Sequence, residues 1–86
     1  MKKVIVTGGA GFIGSNLIEF LIKNKYFVIN IDKLSYAANL YNVKNFSKKN
    51  YIFKKIDLNN REKIIDIFNK YKPIGIFNLA AETHVD

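Results

Sequence analysis

Apolar and polar positions fall into blocks whose period switches between that of a strand and that of a helix. Lys3–Thr7 is a short continuous apolar run, the pattern of a strand buried on both faces of a parallel sheet. From Gly11 or Phe12 to Asn24, apolar residues recur at helical spacing (Ile13, Leu17, Ile18, Leu21, Ile22) and predict an amphipathic helix. Phe27–Ile31 reads as a second strand. The segment 33–50 carries Asn, Ser and Lys with no clear period beyond a short helix near Ala38–Val43. A connection that long in a compact domain is either functional or a disordered insertion. Tyr51–Ile56 is a third strand. Asn59-Asn60-Arg61-Glu62 then resembles a capping box, with Asn59 as N-cap. The helix that follows, Arg61–Tyr71, is expected to bury Ile64, Ile65, Phe68 and Tyr71 and to stop at Pro73. Ile74–Leu79 is the fourth strand.

This β-α-β-loop-β-α-β order predicts an α/β fold, the first half of a doubly wound parallel sheet with right-handed crossovers. At 86 residues the chain holds one small domain or a piece of a larger one. Residues 1–86 are expected to be part of such a domain, because the chain stops just past a strand where the next helix would begin. Two crossover helices leave part of such a sheet bare, so marginal folding or self-association is expected. No apolar run reaches the roughly 18 residues of a membrane span. The basic, then apolar, start Met1–Val6 breaks off too early for a signal peptide. The absence of cysteine excludes disulfides and thiolate metal sites and suits a cytoplasmic protein. The net charge of +7 comes from lysines scattered as pairs and along helix faces, a distribution that argues against nucleic-acid binding.

Candidate chemistry concentrates at the strand ends. After the first strand, Gly8-Gly9-Ala10-Gly11-Phe12-Ile13-Gly14 fits both GxGxxG (Gly9, Gly11, Gly14) and GxxGxxG (Gly8, Gly11, Gly14). A glycine-rich strand-to-helix turn lets a pyrophosphate approach the backbone, and the helix N-terminus favours its charge. Either pattern alone is weak; the flanking strand and helix strengthen it. Asp32, eighteen residues beyond Gly14, stands at the tip of the second strand, where a carboxylate accepts both ribose hydroxyls of an adenosine. It would repel a 2′-phosphate and so favour NAD over NADP, although the adjacent Lys33 could tolerate one. Asp57-Leu58 ends the third strand and could approach the adenine, or Asp57 could simply serve the helix dipole. Leu79 to Asp86 places small residues and then Glu82, Thr83, His84 and Asp86 at the fourth strand's end. His84 reads more readily as a structural partner than as a base. Tyr51 and Lys55 match Tyr-x-x-x-Lys, but in a strand four residues span about 13 Å and the two cannot cooperate.

Together these residues resemble the extended short-chain dehydrogenase/reductase superfamily. Within it, Asp32-Lys33-Leu34-Ser35-Tyr36-Ala37-Ala38-Asn39-Leu40 and Leu79-Ala80-Ala81-Glu82-Thr83-His84-Val85-Asp86 are similar to the stretches of the dTDP-glucose 4,6-dehydratase family. Ala38 stands where that family usually has glycine, and Thr83 where serine is common. The resemblance implies a Rossmann-type domain and NAD contacts at Phe12, Ile13, Asp32, Lys33, Leu34, Ser35, Asp57, Leu58 and Leu79 to Thr83 (Ala80, Ala81 and Glu82 between them). Thr83 would also touch the sugar of the nucleotide-sugar substrate, dTDP-glucose. It implies conversion to a 4-keto-6-deoxy sugar in deoxysugar biosynthesis, and homodimers of full-length relatives. The family's Tyr-x-x-x-Lys pair and dehydration acid and base would lie beyond residue 86. No catalytic residue and no metal ligand is therefore expected in this chain, and the chain alone is expected to be inactive. Two other readings are a nucleotide-sugar epimerase or decarboxylase of the same superfamily, and a non-catalytic NAD-binding remnant.

Overall fold

A computed structural model describes residues 1–8, 12–33 and 49–79. Four strands, β1 (Lys3–Thr7), β2 (Phe27–Asp32), β3 (Tyr51–Lys55) and β4 (Gly75–Asn78), form one parallel sheet in the order β3-β2-β1-β4. Helices α1 (Phe12–Lys23) and α2 (Arg61–Tyr71) complete the described elements. The expected fold class is thus observed, with strand ends differing by one residue. The short helix expected near Ala38–Val43 lies outside the described residues.

Strand periodicity divides the core. Val4, Val6 and Val28 face α1 and pack with Ile18, Leu21 and Tyr51. Ile5, Ile29 and Ile31 face the opposite side and pack with Ile67 of α2. Both faces of β1 and β2 are covered, which is why those strands are apolar without alternation.

Helix α2 differs from the expectation at two points. Its N-cap is Asn60, not Asn59: the Asn60 Oδ1 accepts from the Lys63 amide at 3.2 Å. Asp57 explains the shift. Its carboxylate accepts the Asn59 amide at 2.9 Å and its carbonyl accepts the Asn60 amide at 2.8 Å, so a turn occupies Asn59 and the helix starts one residue later. The buried face is also rotated. Ile67 is buried and Ile64 and Tyr71 are half-buried, whereas Ile65 and Phe68 are exposed. The ring of Tyr71 stacks on Phe27 at the start of β2, with centroids 6.1 Å apart, and so sets the helix's rotation.

Both helices end on a lysine in the left-handed region. At the end of α1, Lys25 (φ 71°) donates to the Ile22 carbonyl and Tyr26 donates to the Leu21 carbonyl, a Schellman arrangement. At the end of α2, Lys72 (φ 49°) donates to the Phe68 carbonyl, and Pro73 follows.

The two sheet edges differ in character. β3 carries Lys54 and Lys55, charges that blunt strand addition. β4 leaves Ile76 and Phe77 exposed on its two sides, with Ile74 exposed just before it. This is the bare part of the sheet expected from the sequence. No helix among the described residues is long and apolar enough to cross a membrane.

Candidate functional site

In a parallel sheet all carboxyl ends share one edge. Gly8 follows β1 there, Asp32 closes β2, Asp57 and Leu58 follow β3, and Leu79 follows β4. The chain moves outward from β1 to β2 and β3, then returns to β4 on the other side of β1. The crevice at the ends of β1 and β4 is therefore a topological switch point, where open α/β sheets bind ligands.

Backbone geometry prepares that crevice. Gly8 has φ 78°, a conformation an L side chain would strain, and its amide donates to the Ile31 carbonyl at 3.0 Å. The chain thus stays stitched to β2 as it leaves β1. On the far side, the Thr7 hydroxyl donates to the Asn78 Oδ1 at 2.6 Å, and the Leu79 amide donates to the Thr7 carbonyl at 2.9 Å. Thr7 is buried and Asn78 exposed, so this polar pair ties the buried end of β1 to the solvent-facing end of β4. Leu79 packs against the α1-side core. Gly14 is buried in the first turn of α1, the place where the glycine fingerprint needs close helix–sheet packing; Ile13 beside it is 73% exposed.

Asp32 is 6% exposed and Lys33 is exposed. The Asp32 carbonyl accepts from the Ile56 amide at 3.1 Å, which ties the exit of β3 to the tip of β2. Asp57 and Leu58 follow directly and are exposed, with the Asp57 carboxylate serving the turn before α2. Gly11, Leu34, Ser35, Ala80, Ala81, Glu82, Thr83 and His84 lie outside the described residues.

Below Asp32, on the same face of β2, lies Asn30, with no exposed surface. Its Nδ2 donates to the Tyr51 hydroxyl at 3.0 Å. An amide at the centre of an apolar strand is the signal that sequence reasoning passed over. Tyr51 sits on β3, as the strand reading of Tyr51–Lys55 required, and its hydroxyl is engaged by Asn30. Burial pushes the Tyr51 pKa above its ordinary value of 10.0; the Asn30 hydrogen bond opposes this and the Asp32 charge adds to it. The native state therefore holds this proton more tightly than the unfolded chain. Its contribution to stability should be complete below pH 10.0 and fall away as pH rises from there towards the folded-state value. Thermal melts of the parent and Tyr51→Phe should differ less as pH passes above 10; a constant difference would contradict this.

The parallel β3-β2-β1-β4 sheet, a positive-φ glycine after β1 and an acid closing β2 define the Rossmann architecture of nucleotide-sugar epimerases and dehydratases. The chain belongs to the GDP-mannose 4,6 dehydratase family, whose model matches residues 5–86. It is 50% identical over 90 residues to a dTDP-glucose 4,6-dehydratase of Haemophilus influenzae, covering 100% of this chain and 26% of that relative. Among solved structures it is similar to the dTDP-glucose 4,6-dehydratase of Bacillus anthracis in complex with NAD, with a TM-score of 0.85 and 38% identity over 96% of this chain and 28% of that one. A UDP-glucose 4-epimerase of Thermotoga maritima is also similar, with a TM-score of 0.78 and 37% identity over 94% of this chain and 25% of that one. The chain thus spans about a quarter of the length of the curated relatives it matches.

Proposed function

We propose that this chain is the NAD-binding portion of a dTDP-glucose 4,6-dehydratase. The observation that carries the reading is a buried carboxylate at the tip of β2, at the same sheet edge as a positive-φ glycine leaving β1. Asp32 holds the adenosine ribose through charge-assisted hydrogen bonds, while the turn from Gly8 through Gly11 to Gly14, with Phe12 and Ile13, receives the pyrophosphate. Asp57 and Leu58 border the adenine. The family resemblance assigns further NAD contacts to Lys33, Leu34, Ser35 and Leu79 to Thr83, and a contact with the sugar to Thr83. When bound, NAD⁺ supplies the hydride acceptor for a reaction in which hydride leaves sugar C4, water is lost across C5–C6 and the hydride returns to C6. The residues here bind and orient; the acid–base groups of the dehydration are assigned to other parts of a full-length enzyme.

The similarity to the Haemophilus influenzae enzyme favours a dehydratase acting on dTDP-glucose over one acting on GDP-mannose. The similarity to the Thermotoga maritima epimerase supports a second reading, a UDP-sugar 4-epimerase. A cytoplasmic role in deoxysugar synthesis and a homodimer of the full-length enzyme complete the proposal. Calorimetric titration of the chain with NAD⁺ is the test: saturable binding, with NADP⁺ weaker, is expected, and no heat of binding would overturn the reading. Incubation of the chain with NAD⁺ and dTDP-glucose should give no 4-keto product. Turnover would contradict the assignment of catalysis to other parts.

A further inference from the structure

Asn30 poses a physical problem. A primary amide buried among Val4, Val6 and Val28 costs several kcal/mol unless its hydrogens find acceptors. Tyr51 supplies one from a neighbouring strand. Tyr51 pairs in register with Val28, two positions before the register partner of Asn30, which is Phe53. The phenol therefore runs along the strand direction towards the carboxyl edge and delivers its oxygen to Asn30 one pleat below Asp32. The phenol also senses the Asp32 charge.

Position along the strands makes this pair more than a satisfied polar contact. β3 is a five-residue edge strand with apolar residues on both faces, Tyr51 and Phe53 on one and Ile52 on the other, so its hydrophobic pattern distinguishes poorly between registers one residue apart. The Asn30–Tyr51 bond is a side-chain link between β2 and β3, and a one-residue slip of β3 would break it by turning Tyr51 to the other face. Just above it, the Ile56 amide meets the Asp32 carbonyl, and Asp57 follows. The register of β3 on β2 thus sets the distance between the two carboxylates proposed to flank the adenosine.

We propose that the Asn30–Tyr51 hydrogen bond is a positioning device for the adenosine site, fixing β3 on β2 so that Asp32 and Asp57 keep the spacing that NAD requires. This rests on the reading that Asp32 holds the ribose. Neither residue touches the cofactor; both act through Asp32 and Asp57.

The test separates positioning from stability. Tyr51→Phe takes the acceptor from the buried Asn30 amide, and Asn30→Val takes the donor from the hydroxyl; each should melt about 5 to 15 °C lower. The double variant Asn30→Val/Tyr51→Phe removes both ends of the bond at once and should lose less than the sum of the two single losses. Its NAD⁺ affinity, measured by calorimetry on the full 86-residue chain, should nonetheless stay about fivefold to tenfold below the parent. Independently of NAD, hydrogen exchange at the Ile56 amide should quicken in the double variant while exchange at Val6 in β1 does not change. A double variant with parental NAD⁺ affinity and parental Ile56 exchange would overturn the inference and leave the cofactor reading standing. Absence of NAD⁺ binding by the parent chain would overturn the cofactor reading, and the positioning role with it.

Discussion

Asp32→Ala should weaken NAD⁺ binding about a hundredfold, the loss expected for two hydrogen bonds to a charged acceptor. Asp32 closes the central strand β2 and is almost wholly withdrawn from solvent, so its charge acts with little screening on a ligand at the sheet edge. Asp32→Asn keeps the shape and one acceptor but loses the charge, and should fall between parent and Ala. The two variants should also differ in selectivity. Removing the carboxylate removes its repulsion of a 2′-phosphate, so the ratio of NADP⁺ to NAD⁺ affinity should rise most in Asp32→Ala, helped by the exposed Lys33. Calorimetry with both cofactors reads both effects. Equal affinity for NAD⁺ in parent and Asp32→Ala, with the fold intact by circular dichroism, would remove Asp32 from the site.

The second large effect concerns the core. Ile29→Ala should abolish a cooperative melt. Ile29 has no exposed surface and sits in β2, paired to β1 on one side and β3 on the other, against Ile5, Ile31 and Ile67. Such a truncation costs about 2 to 5 kcal/mol, against about 5 to 15 kcal/mol for the whole stability of an ordinary domain. This sheet, with apolar side chains of β4 left in contact with water, belongs at the lower end of that range. Ile65→Ala is the internal control. Its side chain is 54% exposed, so it should shift the melt by only a few degrees, whereas Ile67→Ala, two residues on, should shift it by 10 °C or more, about what a lost core isoleucine costs a domain this small. Equal shifts for Ile65→Ala and Ile67→Ala would mean that α2 sits in a different rotation.

That control marks a limit of what the sequence made legible. β1, β2 and the two helices were readable because their periods are strong and because glycine and proline punctuate them. The rotation of α2 was not. Ile64, Ile65, Ile67, Phe68 and Tyr71 form one broad apolar stripe, and the side of it that meets the sheet is the one that carries Ile64, Ile67 and Tyr71, with Tyr71 stacked on Phe27. The N-cap was misplaced for a related reason. Two adjacent asparagines are equally good caps, and the choice between them is made by Asp57, whose hydrogen bonds consume Asn59. At the candidate site, Gly8 and Asp32 stood out because backbone freedom and charge at a strand end are rare and specific demands. Asn30 went unread because its partner, Tyr51, is twenty-one residues away and on another strand. The Thr7–Asn78 pair, which closes the sheet from its first strand to its last, was hidden in the same way.

The left-handed lysines at the two helix ends offer a route to a sturdier protein. A side chain in that conformation costs about 1 to 2 kcal/mol, and glycine relieves it. Part of the gain is lost, because a cation at a helix C-terminus is worth about 0.3 to 1 kcal/mol. Lys25→Gly and Lys72→Gly should therefore each add only a modest increment. They lie on helices packed on opposite faces of the sheet, so the increments should be additive. Both positions lie at the amino-terminal edge of the sheet, just ahead of β2 and β4 and a full strand length from the proposed ligand crevice. The protein could thus be strengthened for handling, labelling or directed evolution without touching the chemistry at the other end.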